Sequence, residues 1–296
     1  MATNGIYASA LRSAIDGEVF GSTDPGFEAA CLGFNLAHEF RPDIAVLPRS
    51  SRDVAAAVRH AADHGLAVHV QATGHGLGTQ AHGGMLINTA GLQELDLDPE
   101  ARSVRVGAGV RWSKVIAAAA PHGLAPLNGS SPDIGVVGYT MGGGMGPMGR
   151  TFGFAADHVT ALRMVTASGD TLEVDAVREP ELFWALRGGK CSVGIVTQLR
   201  FGVHPVAEVY GAASSLPGST HRSSFTPSAR GHGPCPSPRP PPWPCCGCPT
   251  PRSSPNRCAA RPRCTCAMST WAATSRARRC SPPCAAPPVR WSTWWR

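Results

Sequence analysis

A glycine-rich segment with one histidine is the first part of the sequence whose residue types could do chemistry. It reads Gln71-Ala-Thr-Gly-His-Gly-Leu-Gly78. Its three glycines allow backbone N–H groups to converge on an anion such as a pyrophosphate. His75 lies at its centre, either as a solvated loop side chain or as a group placed against the ring of a bound molecule. An ordinary flexible turn is the alternative reading of the whole segment.

A second glycine-rich stretch covers residues 128–149 and contains eight glycines in 22 residues. Each glycine in a regular element costs roughly 0.5–1 kcal/mol relative to alanine, so this density predicts that a large ligand lies against the main chain. A mobile surface loop is the alternative. It would leave four large side chains exposed, which disfavours it: Val136, Val137, Tyr139 and Met141.

Within this stretch, Gly144-Met-Gly-Pro-Met-Gly149 also matches the dinucleotide pattern G-x-G-x-x-G. Pro147 lies inside the pattern, and no strand, turn and helix are evident around it. The position about twenty residues later, where an acidic residue would contact a ribose, is the turn Ser168-Gly-Asp170. A nicotinamide-binding Rossmann domain is therefore the lesser alternative.

The elements that position these residues begin with a βαβ unit. Residues 44–47 are predicted as a strand, and a helix capped by Ser51 and ended by Gly65 follows. Residues 67–72 form the next strand. This order favours a parallel pair of strands with a right-handed crossover.

Shorter elements follow the first glycine-rich segment. We expect strands over residues 85–88, 92–97 and 104–107 in an antiparallel section, then a helix over 112–120. A hairpin is predicted from 158–166 and 171–174, followed by a helix over 179–186 and a last strand over 193–201. The fold class is therefore α+β with mixed sheets, ending near Val206.

Residues 217–296 have a different composition from the rest of the chain. They hold seventeen of the 27 prolines, no leucine and no isoleucine. Such a segment buries too little apolar surface to offset the entropy of ordering its backbone, so it is predicted to be a disordered low-complexity tail. Its Pro, Arg, Cys and Ser runs are typical of GC-rich codons translated out of frame. We expect a shifted reading frame beginning between Gly211 and Arg222.

Charge and cysteine divide at the same place. All 20 acidic residues precede residue 217, whereas the tail carries twelve arginines and nine of the 11 cysteines. The tail is expected to attract polyanions nonspecifically, without a specific nucleic-acid partner. Cys245-Cys-Gly-Cys248 lacks a strand-and-turn framework, so no metal site is assigned. Two isolated cysteines in the front segment, with no export signal and no membrane span, favour a cytoplasmic location.

Six motifs in order resemble one family, the berberine bridge enzyme-like flavoproteins of the vanillyl-alcohol oxidase and p-cresol methylhydroxylase (PCMH) superfamily. They are Pro48-Arg-Ser-Ser-Arg-Asp-Val54, Thr73-Gly-His-Gly76, Val106-Gly-Ala-Gly-Val-Arg-Trp112, Ser130-Ser-Pro-Asp-Ile-Gly135 with Gly142-Gly-Gly144, Leu182-Phe-Trp-Ala-Leu-Arg-Gly-Gly189 and Gly194-Ile-Val-Thr197. The resemblance implies a PCMH-type FAD-binding domain of two α/β subdomains. We delimit a helical lead-in over 1–40, this domain over 41–206 and the tail over 217–296.

The resemblance also implies the cofactor and the residues that contact it. In many members the histidine matching His75 bonds covalently to the flavin 8α carbon, and the loop around it holds the pyrophosphate. Ser131 stands where some relatives have a second, cysteinyl link, so no such link is expected. The implied cofactor-binding residues are Thr73, Gly74, His75, Gly76, Leu77, Gly78, Ser131, Pro132, Gly135, Gly138, Tyr139, Gly142, Gly143, Gly144, Gly194, Ile195 and Val196.

The activity implied by the resemblance is hydride transfer from a small organic substrate to flavin N5, with molecular oxygen as the usual acceptor. Family members take their substrate pocket and catalytic base mostly from a second domain. Nothing after Leu216 resembles that domain, so we assign no catalytic residue and expect FAD binding to be more robust than turnover. The two alternatives are a basic-tailed nucleic-acid-binding protein and an NAD(P)-dependent dehydrogenase.

Overall fold

The computed structural model describes residues 3–37, 40–76, 81–190, 193–209 and 289–290. Short 3₁₀ turns supplement the helices at Thr89–Gly91, Ala120–His122 and Ala155–His158. The α-helices in these ranges are α1 (Thr3–Arg12), α2 (Phe27–Cys31), α3 (Ser51–Asp63), α4 (Trp112–Ala119), α5 (Val136–Thr140), α6 (Gly149–Phe152) and α7 (Pro180–Gly189).

The strands form two main sheets and two short pairs. The order is β1-β3-β6-β4 in a four-stranded sheet and β10-β9-β11-β8-β7 in a five-stranded sheet, and β2 pairs with β5 and β12 with β13. The strands are β1 (Glu18–Gly21), β2 (Phe40–Arg41), β3 (Ile44–Leu47), β4 (Val68–Gln71), β5 (Ala81–His82), β6 (Met85–Asn88), β7 (Leu95–Asp98), β8 (Ser103–Gly107), β9 (Val159–Val165), β10 (Thr171–Asp175), β11 (Ile195–Gly202), β12 (Glu208–Val209) and β13 (Val289–Arg290). The predicted α+β class with mixed sheets is confirmed.

The four-stranded sheet corrects the predicted βαβ unit and the predicted antiparallel section, because residues 85–88 form a strand that is parallel to its neighbours and lies in a different sheet from β7 and β8. Strands β3 and β4 do not pair with each other, because β6 lies between them and is parallel to both. All four residues of β6 are buried, as expected for a strand with neighbours on both sides. A run of apolar residues indicates such a central strand, but its order in the sheet depends on contacts distant in sequence. The expected parallel direction of β3 and β4 is correct.

Helix α3 contacts both main sheets and begins one residue earlier than predicted. Ser50, not Ser51, is the N-cap, and its side chain accepts a hydrogen bond from the Asp53 amide. The Ser51 hydroxyl instead donates to Thr197 Oγ1 of β11 at 2.8 Å. The apolar face of α3 is fully buried. This helix therefore fixes the end of β3 against the five-stranded sheet.

The five-stranded sheet is antiparallel throughout and contains the predicted hairpin of β9 and β10. Its inward side chains join those of the four-stranded sheet in one hydrophobic core. Trp112 is fully buried at the start of α4, with its ring edge-on to Phe201 at 5.6 Å. Each of the two predicted α/β subdomains thus has its own sheet, and the core is common to both.

The two ends of the chain differ in how much of them the structure describes. The lead-in over residues 1–40 contains a strand as well as helices, because β1 pairs antiparallel with β3. The predicted tail over 217–296 lies outside the described residues except for Val289–Arg290, which pair with β12. Among the described helices, none has the length and apolar character that a membrane-spanning segment needs.

Candidate functional site

The two glycine-rich stretches line one cleft of about 580 Å³. The loop after β4 forms one wall, and the segment that leads into and follows α5 forms the other. The lining residues are Val70, Gln71, Ala72, Thr73, Gly74, His75, Gly76, Thr89, Ala108, Ile134, Gly135, Val137, Gly138, Tyr139, Met141, Gly142, Gly144, Met145, Lys190 and Val196. Segments about sixty residues apart in sequence therefore meet at this cleft.

The loop after β4 is held by main-chain bonds to the segment after α2. The amide of Phe34 donates to Thr73 O, and the amide of Asn35 donates to Gly74 O. Gly74 has φ +71°, and a β-carbon there would lie 2.6 Å from Gly33 Cα. Glycine is required at position 74 because both the conformation and the close approach exclude a side chain. The loop is thus an ordered part of the cleft wall.

The imidazole of His75 is oriented by two contacts. Its Nδ1 lies 2.9 Å from Thr73 Oγ1, which also accepts a hydrogen bond from the Gly135 amide at 3.3 Å. The Phe34 ring stacks on the imidazole with centroids 3.9 Å apart. Thr73 therefore joins the two walls of the cleft, and Nε2 is the ring nitrogen left outside this network.

The electrostatic surroundings of His75 favour the neutral imidazole. Its pKa is lowered from 6.5, chiefly by burial and then by the nearby Arg111 guanidinium, while Asp133 acts in the opposite direction. Arg111 and Asp133 are themselves 4.0 Å apart. A neutral imidazole retains a lone pair, so His75 is in the protonation state that a nucleophile or a hydrogen-bond acceptor requires.

Glycines in the second stretch serve two different purposes. A β-carbon on Gly138 would meet nothing within 4 Å, so this glycine leaves open space beside α5. By contrast, β-carbons on Gly144 and Gly146 would lie 2.8 Å from the Tyr139 ring and 2.2 Å from Asn128 O. The expectation that the glycine density reflects a ligand is therefore incomplete, because part of it serves internal packing.

The same packing explains the match to G-x-G-x-x-G. Helix α5 precedes the pattern where a Rossmann domain has a strand, and the four-residue α6 follows it. Gly144 and Gly146 are accounted for by the contacts with Tyr139 and Asn128. The pattern therefore lacks the strand, turn and helix that a nicotinamide site needs.

Two buried polar atoms of cleft-lining residues lack hydrogen-bond partners within the described part of the chain. They are Tyr139 Oη and Gln71 Oε1. Burial raises the pKa of Tyr139 to about 12, so its hydroxyl keeps its proton and is able to donate. The Tyr139 ring packs edge-on against Trp112 at 5.6 Å, which fixes it in place. Both oxygens lie beside residues outside the lining, because β-carbons on Gly146 and Gly33 would lie 3.2 Å from Tyr139 Oη and 3.1 Å from Gln71 Oε1, so neither is assigned to ligand contact.

The structure brings together ten of the predicted cofactor-binding residues. They are Thr73, Gly74, His75, Gly76, Gly135, Gly138, Tyr139, Gly142, Gly144 and Val196. Five others do not line this cleft: Ser131, Pro132, Gly143, Gly194 and Ile195. Leu77 and Gly78 lie outside the described residues.

Some of these five have evident structural contacts instead. The carbonyl of Pro132 accepts a hydrogen bond from Ser113 N at the start of α4. Gly194 has φ +156°, and a β-carbon there would lie 2.2 Å from Met164 Cε. Ile195 pairs with Val165 in the five-stranded sheet. Pro132 thus supports the start of α4, whereas Gly194 and Ile195 lead into Val196 on β11.

Lys190 is a lining residue that the sequence did not predict. It follows α7, and its amide donates to Met141 O at 3.0 Å. A β-carbon on Gly142 would lie 3.0 Å from its Cε, and one on Gly76 would lie 3.9 Å from its Nζ. A single lysine after two glycines matches no known binding motif. The sequence feature that could have drawn attention to it is the rarity of lysine, since the chain has only Lys114 and Lys190.

Comparison with known proteins agrees with this geometry. Residues 42–175 match a family described as FAD binding domain. The chain is 34% identical over 187 residues to (R)-6-hydroxynicotine oxidase of Paenarthrobacter nicotinovorans, covering 62% of this chain and 41% of that protein.

Two solved structures have the same fold. A crystal structure of 6-hydroxy-D-nicotine oxidase from Arthrobacter nicotinovorans superposes with a TM-score of 0.67 at 30% identity, covering 73% of this chain and 49% of that one. A berberine bridge enzyme-like protein from Physcomitrella patens superposes with a TM-score of 0.63 at 25% identity, covering 75% of this chain and 50% of that one. The chain spans about half the length of these proteins or less. Residues 42–175 thus match an FAD binding domain, and the described part of the chain is similar in fold to this nicotine oxidase and this berberine bridge enzyme-like protein.

Proposed function

We propose that the chain binds FAD in the cleft between the β4 loop and the α5 segment, as part of an oxidoreductase. One observation carries this proposal. Two glycine-rich stretches and His75, distant in sequence, line a single cleft of about 580 Å³. That volume is within the usual range for cofactor sites, roughly 300–1,000 Å³. The cofactor-binding role of the individual residues is part of the proposal.

The residues present fit the chemistry of FAD. The main chain at Gly138 is open to a ligand, and Lys190 adds a cationic side chain to the lining. Val137, Met141 and Val196 add an apolar lining. FAD combines a flat, partly apolar ring with a polar diphosphate, so a cleft with both characters suits it.

We further propose that His75 forms the covalent bond to the flavin. The Thr73 hydroxyl engages Nδ1, so Nε2 is the nitrogen available for the bond. The lowered pKa of His75 supports this role because it keeps the imidazole neutral near pH 7. No second link is expected at Ser131, which lacks a thiol and does not line the cleft.

When bound, FAD supplies hydride acceptance at N5 and delivery of the electrons to molecular oxygen. The substrate in this proposal is a small organic molecule, by analogy with the nicotine oxidase relative. The chain's own residues contribute cofactor binding and orientation, and we assign no catalytic base within the described part.

A reducing, cytoplasmic location is also proposed, because Cys31 is a buried free thiol whose pKa is raised to about 11 by burial.

Flavin attachment to His75 tests this function directly. The purified protein is expected to be yellow, and a tryptic peptide containing His75 is expected to carry the flavin mass after denaturation. His75→Ala is expected to abolish that adduct and leave a dissociable flavin. His122→Ala, which changes an exposed histidine outside the cleft, serves as the control. A folded, colourless protein that takes up no added FAD would contradict the proposal.

A further inference from the structure

Lys190 is the one lysine or arginine among the described residues that line the cleft. Its side chain passes Gly142 and brings Nζ close to Gly76, so the ammonium group lies between the two glycine-rich walls. No Asp or Glu is present among the residues that line the cleft in the described part of the chain. His75 is the other titratable base there, and its environment favours the neutral form. Lys190 is therefore the lining residue with a full positive charge in the described part of the chain, and Arg111 and Asp133 act on His75 from outside the lining.

The backbone of Lys190 has an unusual conformation for a residue with a side chain. Its φ is +58° and its ψ is −148°, whereas Glu179 at the start of the same helix has the ordinary left-handed values of +56° and +53°. The Lys190 angles are close to a region that glycine alone populates freely. The amides of Gly188 and Lys190 both donate to Met141 O, which holds this conformation.

Strained residues concentrate at ligand sites, where surrounding contacts maintain the strain. A lysine is therefore an unexpected choice at a position suited to glycine unless its side chain has a use. The use indicated by its surroundings is binding an anion, because an ammonium group between convergent main-chain walls is a common phosphate contact.

We propose that Lys190 is a cofactor-positioning residue whose ammonium group binds the diphosphate of the ADP half of FAD. This inference rests on the proposed binding of FAD in the cleft and specifies which part of the cofactor this residue recognises. A diphosphate is the anionic part of FAD, and Lys190 is an exposed cationic side chain of the cleft lining whose main chain is held by Met141 O. In this arrangement the isoalloxazine ring contacts the apolar and aromatic residues of the lining.

Binding of cofactor fragments tests this assignment. The variants are made in a His75→Ala background, so that no covalent bond holds the flavin. Calorimetric titrations with FAD, ADP and riboflavin compare Lys190→Met, Lys190→Arg and Lys190→Gly with the parent protein. Lys114→Met is the matched control, because Lys114 contacts Gln93 and does not line the cleft.

At low ionic strength, Lys190→Met is expected to weaken ADP and FAD binding about tenfold and to leave riboflavin binding unchanged. The loss should diminish with added salt, because screening weakens the wild-type contact. Lys190→Arg should retain most of the affinity. Lys190→Gly should weaken ADP binding similarly while raising the melting temperature, since glycine relieves the backbone strain. A merely structural lysine would not show these opposite effects.

Chemical labelling of the flavin-free His75→Ala protein gives a second readout. With only two lysines to resolve, acetylation measured by mass spectrometry is expected to be slowed by ADP at Lys190 and not at Lys114. Equal ADP affinity in Lys190→Met and Lys114→Met would overturn the assignment, as would equal losses of ADP and riboflavin binding. If the parent protein binds neither FAD nor riboflavin, the proposed function fails instead, independently of Lys190.

Discussion

At the scale of single residues, Thr73 connects the two walls of the cleft through one hydroxyl group. Its Oγ1 accepts from the Gly135 amide and lies within hydrogen-bond distance of His75 Nδ1. The sequence motif identified Thr73 and His75 as neighbours in a loop. It did not predict the hydrogen bond to Gly135, which is 62 residues away. The orientation of the imidazole is therefore a tertiary property.

Thr73→Val is expected to slow covalent attachment of flavin to His75. Valine has the shape of threonine without the hydroxyl, so the imidazole loses its orienting contact. We expect the attachment rate to fall about tenfold, as is usual when a supporting hydrogen bond at a reactive group is lost. The measurement is the time course of acid-stable flavin fluorescence after FAD is added to the apo-protein. Thr73→Ser should keep most of the rate, and an unchanged rate in Thr73→Val would refute this role.

At the scale of elements, helix α3 links the four-stranded and five-stranded sheets. Its start is held by three hydrogen bonds. The Ser50 hydroxyl accepts from the Asp53 amide. The Asp53 carboxylate accepts from the amides of Asp16 and Arg49. Asp53 is 1% exposed, so these bonds satisfy a buried charge. The sequence showed that a helix begins near this serine pair, but the choice between the two serines depended on Thr197 of β11.

Ser50→Ala is expected to lower the free energy of unfolding by about 1 kcal/mol, because an N-cap hydroxyl is lost. Ser50→Asp should cost much less, since aspartate is also a good N-cap. Urea denaturation followed by circular dichroism measures both. If Ser50→Ala is as stable as the wild type, the cap assignment is wrong.

At the scale of the whole molecule, acid stability should depend on partly buried histidines. His204 is packed edge-on to His158 with ring centroids 4.6 Å apart, and its main chain is paired with Ala125. Its pKa is lowered from 6.5 to about 4, first by burial and then by His158. The pKa values of His60 and His75 are lowered as well, which adds to the same trend.

The free energy of unfolding is therefore expected to fall as the pH drops from about 6.5 to about 4. In this window the unfolded chain binds a proton at residue 204 and the folded chain resists it, so the folded state loses stability. The expected loss from His204 is on the order of 1–2 kcal/mol, allowing for its partial exposure to solvent. His204→Gln should flatten this part of the pH profile in urea denaturation, whereas His122→Gln should not. A profile that is unchanged by His204→Gln would disprove the assignment.

The sequence by itself determined the fold class, most element positions and the two segments that form the cleft. Local features decide these properties: apolar periodicity in β3, α3 and β6, turn residues at Ser168-Gly-Asp170, and glycines where the main chain must approach another group. The six ordered motifs also pointed to the FAD binding domain that residues 42–175 match. The domain boundaries at 41, 206 and 217 stay predictions.

The tertiary structure alone decided which residues meet. It placed β6 between β3 and β4, made Ser50 the helix cap, separated packing glycines from open ones and brought Lys190 to the cleft. Each of these facts depends on atoms that are distant in sequence, such as Thr197 beside Ser51 or Met141 beside Lys190. Sequence patterns record local conformational preference and burial, whereas pairing and charge placement arise only when the sheets and loops pack together.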